Sequence, residues 1–305
     1  MAADPIVPEQ TRSAFIAVIG APNTGKSTFI NRAVGTKVSI VSPKVQTTRT
    51  RVIGIVMADS SQLVFIDTPG IFQPSKRLDR AMVAAAWSGA EDADRLLLLI
   101  DAVRGIDDDT RRIVETLTER KLRCDVIINK TDAVRKPVLL QRAAEIDATG
   151  ICDNVYMISA LTGDGVNDLI ETLAENAPDG PWMFPPDQVS DMPERQLAAE
   201  ITREQLFRQL HQELPYATTV ETESWQQRPD GSIAIDQVIF IERQSQRAIV
   251  LGKGGSRIKS LGTAARKELS ELLECTVHLK LFVKVREKWG DDPERYGSWG
   301  LDFNA

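Results

Sequence analysis

Residues 20–27 read Gly-Ala-Pro-Asn-Thr-Gly-Lys-Ser and follow an apolar run, 14–19, of the length of one buried strand. No other stretch constrains the fold as much, because the pattern G-x-x-x-x-G-K-[ST] has meaning only where a strand ends and a helix begins. The helix is predicted over 27–34. Glycines let the backbone wrap close enough to phosphates for its N–H groups to point inward, and the helix start adds its own positive end. Lys26 brings charge to terminal phosphates, and Ser27 offers a hydroxyl to Mg²⁺. On this reading Gly20, Ala21, Pro22, Asn23, Thr24, Gly25, Lys26, Ser27 and Thr28 form a nucleotide-phosphate site.

From there strand-like and helix-like segments alternate: 52–57, 63–67, 80–88, 95–101, 109–121, 125–129, 137–147, 155–158 and 166–175. Near-continuous apolar strands such as Leu96–Ile100 and Val126–Ile128 predict a mostly parallel sheet covered by helices on both faces. Ligands in such a sheet sit at the carboxyl ends of the strands. Five prolines between 177 and 193 mark a linker. The expected division is a tail (1–12), an α/β P-loop domain (13–178), the linker (179–193) and a second domain (194–305). In the last, a helix (194–214), strands at 218–225 and 233–243, a helix (256–273) and an alternating strand (277–285) give an α+β order, α-β-β-α-β.

A chain of 305 residues fits two domains, and no apolar run approaches the roughly 18 residues of a membrane span. The N-terminus is acidic and lacks the pattern of a signal peptide, so a cytoplasmic protein is expected. Three scattered cysteines and two histidines support neither disulfides nor zinc. Net charge is −6, yet residues 246–290 hold ten basic side chains against four acidic ones. That asymmetry points to a polyanion partner for the second domain.

Three further motifs follow strands of the first domain. Asp67-Thr68-Pro69-Gly70 places a carboxylate for Mg²⁺ and a backbone N–H for a γ-phosphate. Asn129-Lys130-Thr131-Asp132 selects the base: the Asp132 carboxylate can accept from guanine N1–H and its 2-amino group, whereas adenine offers neither donor. GTP or GDP is therefore the expected ligand. Ser159-Ala160-Leu161 would complete the base pocket. Between the phosphate loop and Asp67 lies a Thr-rich segment, 45–51, from which Thr48, or failing that Thr47, is expected to complete the Mg²⁺ shell with Ser27 and Asp67.

In the second domain Gly252-Lys253-Gly254-Gly255 is a G-x-x-G loop between a predicted apolar strand and a helix that carries Arg257 and Lys259. Such a loop resembles that of a KH domain of the type II, prokaryotic arrangement, which clamps about four single-stranded nucleotides. On the last strand Lys280, Phe282 and Lys284 share a face and could track phosphates while the ring stacks on a base.

Taken in order, these motifs resemble the translation-factor-like class of P-loop GTPases and, within it, the Era subfamily. The resemblance rests on residues 20–27, Gln46 to Arg49, Asp67 to Gly70, Asn129 to Asp132, Ser159-Ala160 and the second domain. It implies GTP hydrolysis with Lys26, Thr48, Gly70 and Asn23 in the catalytic set, and binding to the 3′ end of small-subunit ribosomal RNA during 30S assembly. Peripheral association with the inner membrane is also implied; no DNA or protein partner is. Where Ras-type enzymes keep a catalytic glutamine, this chain has Ile71. Several members of the class use a monovalent cation near the phosphate-loop asparagine, so K⁺ at Asn23 enters as a hypothesis. Two alternatives stand beside this reading: an RNA-binding chaperone whose GTP site is structural, and a GTPase acting on a membrane or protein partner.

Overall fold

The computed structural model describes residues 10–44 and 47–305, and Val45 and Gln46 of the expected switch lie outside them. Two compact units are present: one comprises Met1–Ser39, Thr48–Asp191 and Trp299–Ala305, the other Ile40–Thr47 and Met192–Ser298.

The first unit runs β1 (Arg12–Ile19), α1 (Lys26–Val34), β2 (Val52–Ala58), β3 (Ser61–Asp67), α2 (Arg77–Glu91), β4 (Arg95–Asp101), α3 (Asp108–Arg120), β5 (Cys124–Asn129), α4 (Lys136–Asp147), β6 (Cys152–Ile158) and α5 (Val166–Glu175). Its sheet has the order β2-β3-β1-β4-β5-β6, with β2 antiparallel to β3 and every other pair parallel. The central strands are apolar because both faces are covered: Ala17, Ile19, Leu98 and Ile100 pack against Ala86, Trp87, Ile113, Leu117 and Ile146 from α2, α3 and α4. On the opposite side α1 and α5 lie together against β2 and β3. Each large apolar side chain contributes about 1.5–3 kcal/mol by leaving water. That rigid layer ends its parallel strands on one rim, where the motif loops emerge.

Residues 182–190 run along the edge of this sheet. Ile55 N–H donates to Val189 O at 2.9 Å, and Gln62 accepts from the Met183 and Phe184 N–H groups while donating to Phe184 O. The proline-rich stretch thus covers an edge strand that would otherwise expose free backbone groups.

The second unit runs α6 (Glu194–Gln209), β7 (Thr218–Gln227), β8 (Ile233–Ile241), α7 (Gln244–Leu251), α8 (Ser256–Leu272), β9 (Val277–Val285) and α9 (Pro293–Ser298). The β7–β8 pair is antiparallel and β8–β9 parallel. A parallel pair needs a crossover, and α7 with α8 provides it. Here the sequence reading needs correction: the apolar strand expected to lead through Val250-Leu251 into the G-x-x-G loop is the end of a helix. A short apolar run does not distinguish the two, and Gln246 settles the matter by accepting from the N–H groups of Glu242 and Arg243 at the helix start. The order is therefore α-β-β-α-α-β.

Candidate functional site

The phosphate loop leaves β1 at Gly20 and enters α1 through Gly25, whose φ of +101° is open to glycine but rarely to other residues. Space makes the same demand. A Cβ on Gly25 would collide with Asn129 Nδ2, and one on Gly20 would lie 2.5 Å from Leu99 O. Asn129 is held there because Nδ2 donates to Thr24 O at 2.8 Å while Oδ1 accepts from the Ala160 N–H at 2.9 Å. One amide thus ties the phosphate loop to the Ser159-Ala160-Leu161 loop. Lys130 adds a second tie, donating to Asn23 O and to Asp101 Oδ2, each at 2.7 Å.

Lys26 is buried, and its ammonium donates to Gly20 O at 3.0 Å and Ala21 O at 3.1 Å. Desolvation lowers its pKa to about 8, with the Asp67 carboxylate pulling the other way. Beside it, Ser27 Oγ donates to Asp67 Oδ2 at 2.7 Å and lies 3.0 Å from Thr48 Oγ1, which itself reaches Asp67 Oδ2 at 3.3 Å. Burial raises the Asp67 pKa, opposed by the hydroxyls of Ser39, Ser27 and Thr48 and by Lys26. Asp67 Oδ1 is buried without a hydrogen-bond partner among the described residues. A hard-oxygen set of two hydroxyls and a carboxylate with one free oxygen suits Mg²⁺. Of the two candidate threonines, Thr48 faces this set; the Thr47 hydroxyl turns to Lys44 O and Ser42 Oγ.

Gly70 brings the next loop against the phosphate loop, where a Cβ would sit 3.2 Å from the Pro22 backbone, and Thr68 Oγ1 donates to Val18 O. Ile71 N–H donates to Gly20 O at 3.1 Å, and its side chain is part of the apolar core with Ala21 and Ile19. That side chain presents no polar group. Asn23 is exposed, with φ +65°. At the base end Ser159 Oγ donates to Asp132 Oδ1 at 2.6 Å, orienting a carboxylate that stays open to solvent. Ala160 is buried and Leu161 is 69% exposed.

Motif reading missed several residues that brace these loops. Arg32 donates to Leu161 O at 2.5 Å, Arg104 to Pro22 O at 2.9 Å, and Ser39 to Asp67 Oδ2 at 2.7 Å. The groups they reach are distant in sequence, so spacing gives no signal for them.

In the second unit Gly252, Gly254 and Gly255 have φ of +73°, +59° and +77°. A Cβ on Gly252 would press on Arg257, 2.7 Å from its Cβ, whereas Gly254 and Gly255 face open space. Lys253 and Lys259 are exposed, and Arg257 turns back to donate to Ile249 O at 2.9 Å, bracing the loop. Lys280, Phe282 and Lys284 point from β9 to solvent, Phe282 being 47% exposed. They alternate with Leu279, Leu281 and Val283, which pack with the helical side, so these three and the 252–255 loop present two surfaces rather than one. Lys284 is also paired with Glu223 at 2.7 Å.

Comparison with known proteins agrees with this layout. Residues 15–130 match the family described as 50S ribosome-binding GTPase, and residues 213–290 match the KH domain family. The chain is 60% identical to the GTPase Era of Sinorhizobium medicae over 293 residues, 96% of this chain and 94% of that one. It is 57% identical to the Brucella suis GTPase Era over 294 residues, with 96% and 94% covered. Among solved structures it resembles a point variant of Aquifex aeolicus Era bound to GDP·AlF4⁻, with a TM-score of 0.89 and 35% identity over 95% of this chain and 99% of that one. The same values hold for Era in complex with MgGDPNP and nucleotides 1506–1542 of 16S ribosomal RNA. With a G-x-x-x-x-G-K-S loop, an N-K-x-D motif and a G-x-x-G domain in one chain, and with this identity over nearly its whole length, the chain belongs to the Era family of GTPases.

Proposed function

We propose that the chain is a GTP-hydrolysing switch that binds the 3′ end of small-subunit ribosomal RNA during 30S assembly, residues 13–178 serving as the hydrolytic domain, 179–193 as linker and 194–305 as the RNA-binding domain. The observation that carries it is the convergence of the Ser27 and Thr48 hydroxyls on Asp67 Oδ2 beside Lys26, with the other carboxylate oxygen, Oδ1, buried and without a hydrogen-bond partner among the described residues. An Era of the same fold has been solved with MgGDPNP and a 16S rRNA segment. Ser27, Thr48 and Asp67 would hold Mg²⁺, which when bound would supply positive charge to offset that of the nucleotide's phosphates. Lys26 and the inward backbone N–H groups take the remaining phosphate charge, and Gly70 places an N–H at the γ-phosphate. Asp132, oriented by Ser159, reads guanine. Thr48 is the residue that senses the γ-phosphate, because its hydroxyl reaches the cation set from the segment that precedes β2 rather than from the phosphate loop or β3.

Ile71 can neither orient nor deprotonate water, so the reading assigns stabilisation of the leaving charge to K⁺ near Asn23. Equal rates in Na⁺ and K⁺, or an unchanged rate in Asn23→Ala, would rule that part out. Gly252 to Gly255 with Lys253, Arg257 and Lys259 clamp the RNA backbone, and Lys280, Phe282 and Lys284 offer a second contact. Peripheral association with the inner face of the membrane is carried by family resemblance alone; no helix among the described residues is long and apolar enough to cross a membrane. The test of the switch is RNA affinity measured with GDP and with a non-hydrolysable GTP analogue. A difference is expected, and identical affinities would overturn it.

A further inference from the structure

Asp67 receives a hydroxyl that no motif supplies. Ser39, 2% exposed, lies in the connection between α1 and β2 and donates to Asp67 Oδ2 at 2.7 Å. A serine in a loop would ordinarily be free to turn away. This one is fixed from α1: Asn31 Oδ1 accepts from the N–H groups of Val38 and Ser39, each at 2.9 Å, and Asn31 Nδ2 donates to Ser39 O at 2.7 Å. Both ends of the amide are used, so the clamp specifies asparagine. Asn31 also stands four residues beyond Ser27, one turn along the same helix, and therefore on the same face. The helix that places the Ser27 hydroxyl thus also places, through Asn31, the hydroxyl that holds the Asp67 carboxylate.

We propose that Asn31 and Ser39 are positioning residues for the carboxylate that holds the nucleotide's divalent cation, an inference that rests on the assignment of Ser27, Thr48 and Asp67 to that cation. Ser39 occupies an acceptor position on Oδ2 and so helps to fix the plane of the carboxylate, while the buried Oδ1 is left without a hydrogen-bond partner among the described residues. Outer-shell partners of metal ligands act in this way, and their removal typically weakens metal affinity about 10- to 100-fold. Asn31 acts on Asp67 through Ser39.

The test is the release rate of a fluorescent GDP analogue from the full-length protein, followed from excess EDTA through millimolar Mg²⁺. In Ser39→Ala the Mg²⁺ concentration that half-maximally slows release is expected to rise about 10- to 100-fold, with release in EDTA unchanged. Asn31→Asp keeps the acceptor for the Val38 and Ser39 N–H groups but loses the donor to Ser39 O, and a smaller shift of the same sign is expected. A wild-type Mg²⁺ midpoint in Ser39→Ala, or faster release by the same factor with and without Mg²⁺, would overturn the proposal. Ser27→Ala separates the two levels. If it shifts the midpoint while Ser39→Ala does not, only the positioning role fails; if it does not, the assignment of the cation site itself fails.

Discussion

The phosphate loop and the G-x-x-G loop use glycine for opposite reasons. In the first, Gly20 and Gly25 are hemmed in by the protein itself, as is Gly70 of the neighbouring loop: Leu99 O, the Asn129 amide and the Pro22 backbone occupy the space a side chain would need. In the second, a Cβ on Gly254 or Gly255 would meet nothing within 4 Å among the described residues, and Gly252 is crowded by Arg257. One loop is shaped by the protein's own neighbouring atoms; the other has space at two of its glycines. Preorganisation of the first suits a site whose contacts must be in place when charge develops on phosphate, and openness of the second suits a backbone that must lie against the main chain.

The sharpest way to break this contrast is a matched pair. Gly25→Ala must displace Asn129 from both of its partners, so GTP binding should be lost and stability in thermal melts should fall by about 3 kcal/mol or more, as for a broken buried hydrogen-bond network, whereas Gly254→Ala should cost only about 1 kcal/mol of backbone strain. Comparable losses in the two variants would remove the distinction. Asp132→Ala comes next, deleting two hydrogen bonds to a charged group at about 1.5 kcal/mol each or more. Calorimetric titration should then show GTP affinity down by about 100-fold, with no change in the RNA affinity of the nucleotide-free protein. In the open loop, Gly255→Asp adds an anion where a phosphate would lie, and RNA affinity in a filter-binding assay should drop at least about tenfold with multiple-turnover GTP hydrolysis intact. Hydrolysis falling in parallel would show that the two loops are not independent.

The smallest effect concerns protons. Lys26 has a folded-state pKa of about 8 against 10.5 in the unfolded chain. The unfolded state therefore binds more protons between those values, and this group's contribution to stability of the nucleotide-free protein rises with pH across about 8 to 10.5. A bound triphosphate favours the ammonium form, so GTP binding at a pH just above the folded-state value should take up a fraction of a proton. Titration calorimetry in two buffers of different ionisation enthalpy measures it, and Lys26→Met should abolish it.

Where sequence reading succeeded, one local pattern decided the outcome. The apolar run Leu96–Ile100 and the strict alternation from Val277 to Val285 yield strands with the expected bounds, 95–101 and 277–285, and α5 likewise spans 166–175. The motifs at 20–27, 67–70 and 129–132 were legible as loops at strand ends because each is contiguous and each follows a strand. Residues that act through folded backbone were not: Asn31 reaches Val38 and Ser39, Arg32 reaches Leu161, and Arg104 reaches Pro22, contacts that exist only once separate segments meet. Helix α7 differs from the expected apolar strand for another reason, since the apolar stretch ending at Val250-Leu251 is too short for periodicity to separate helix from strand.

Asn129 and Gly25 also carry a historical consequence. The asparagine amide stands where any side chain at 25 would have to go, and the same amide joins Thr24 O to the Ala160 N–H. Neither residue can mutate first without harm: a larger residue at 25 collides with the amide, and a smaller one at 129 opens space but severs the loops. Neither single change keeps both the space at 25 and the two ties of the amide, so the two positions constrain each other.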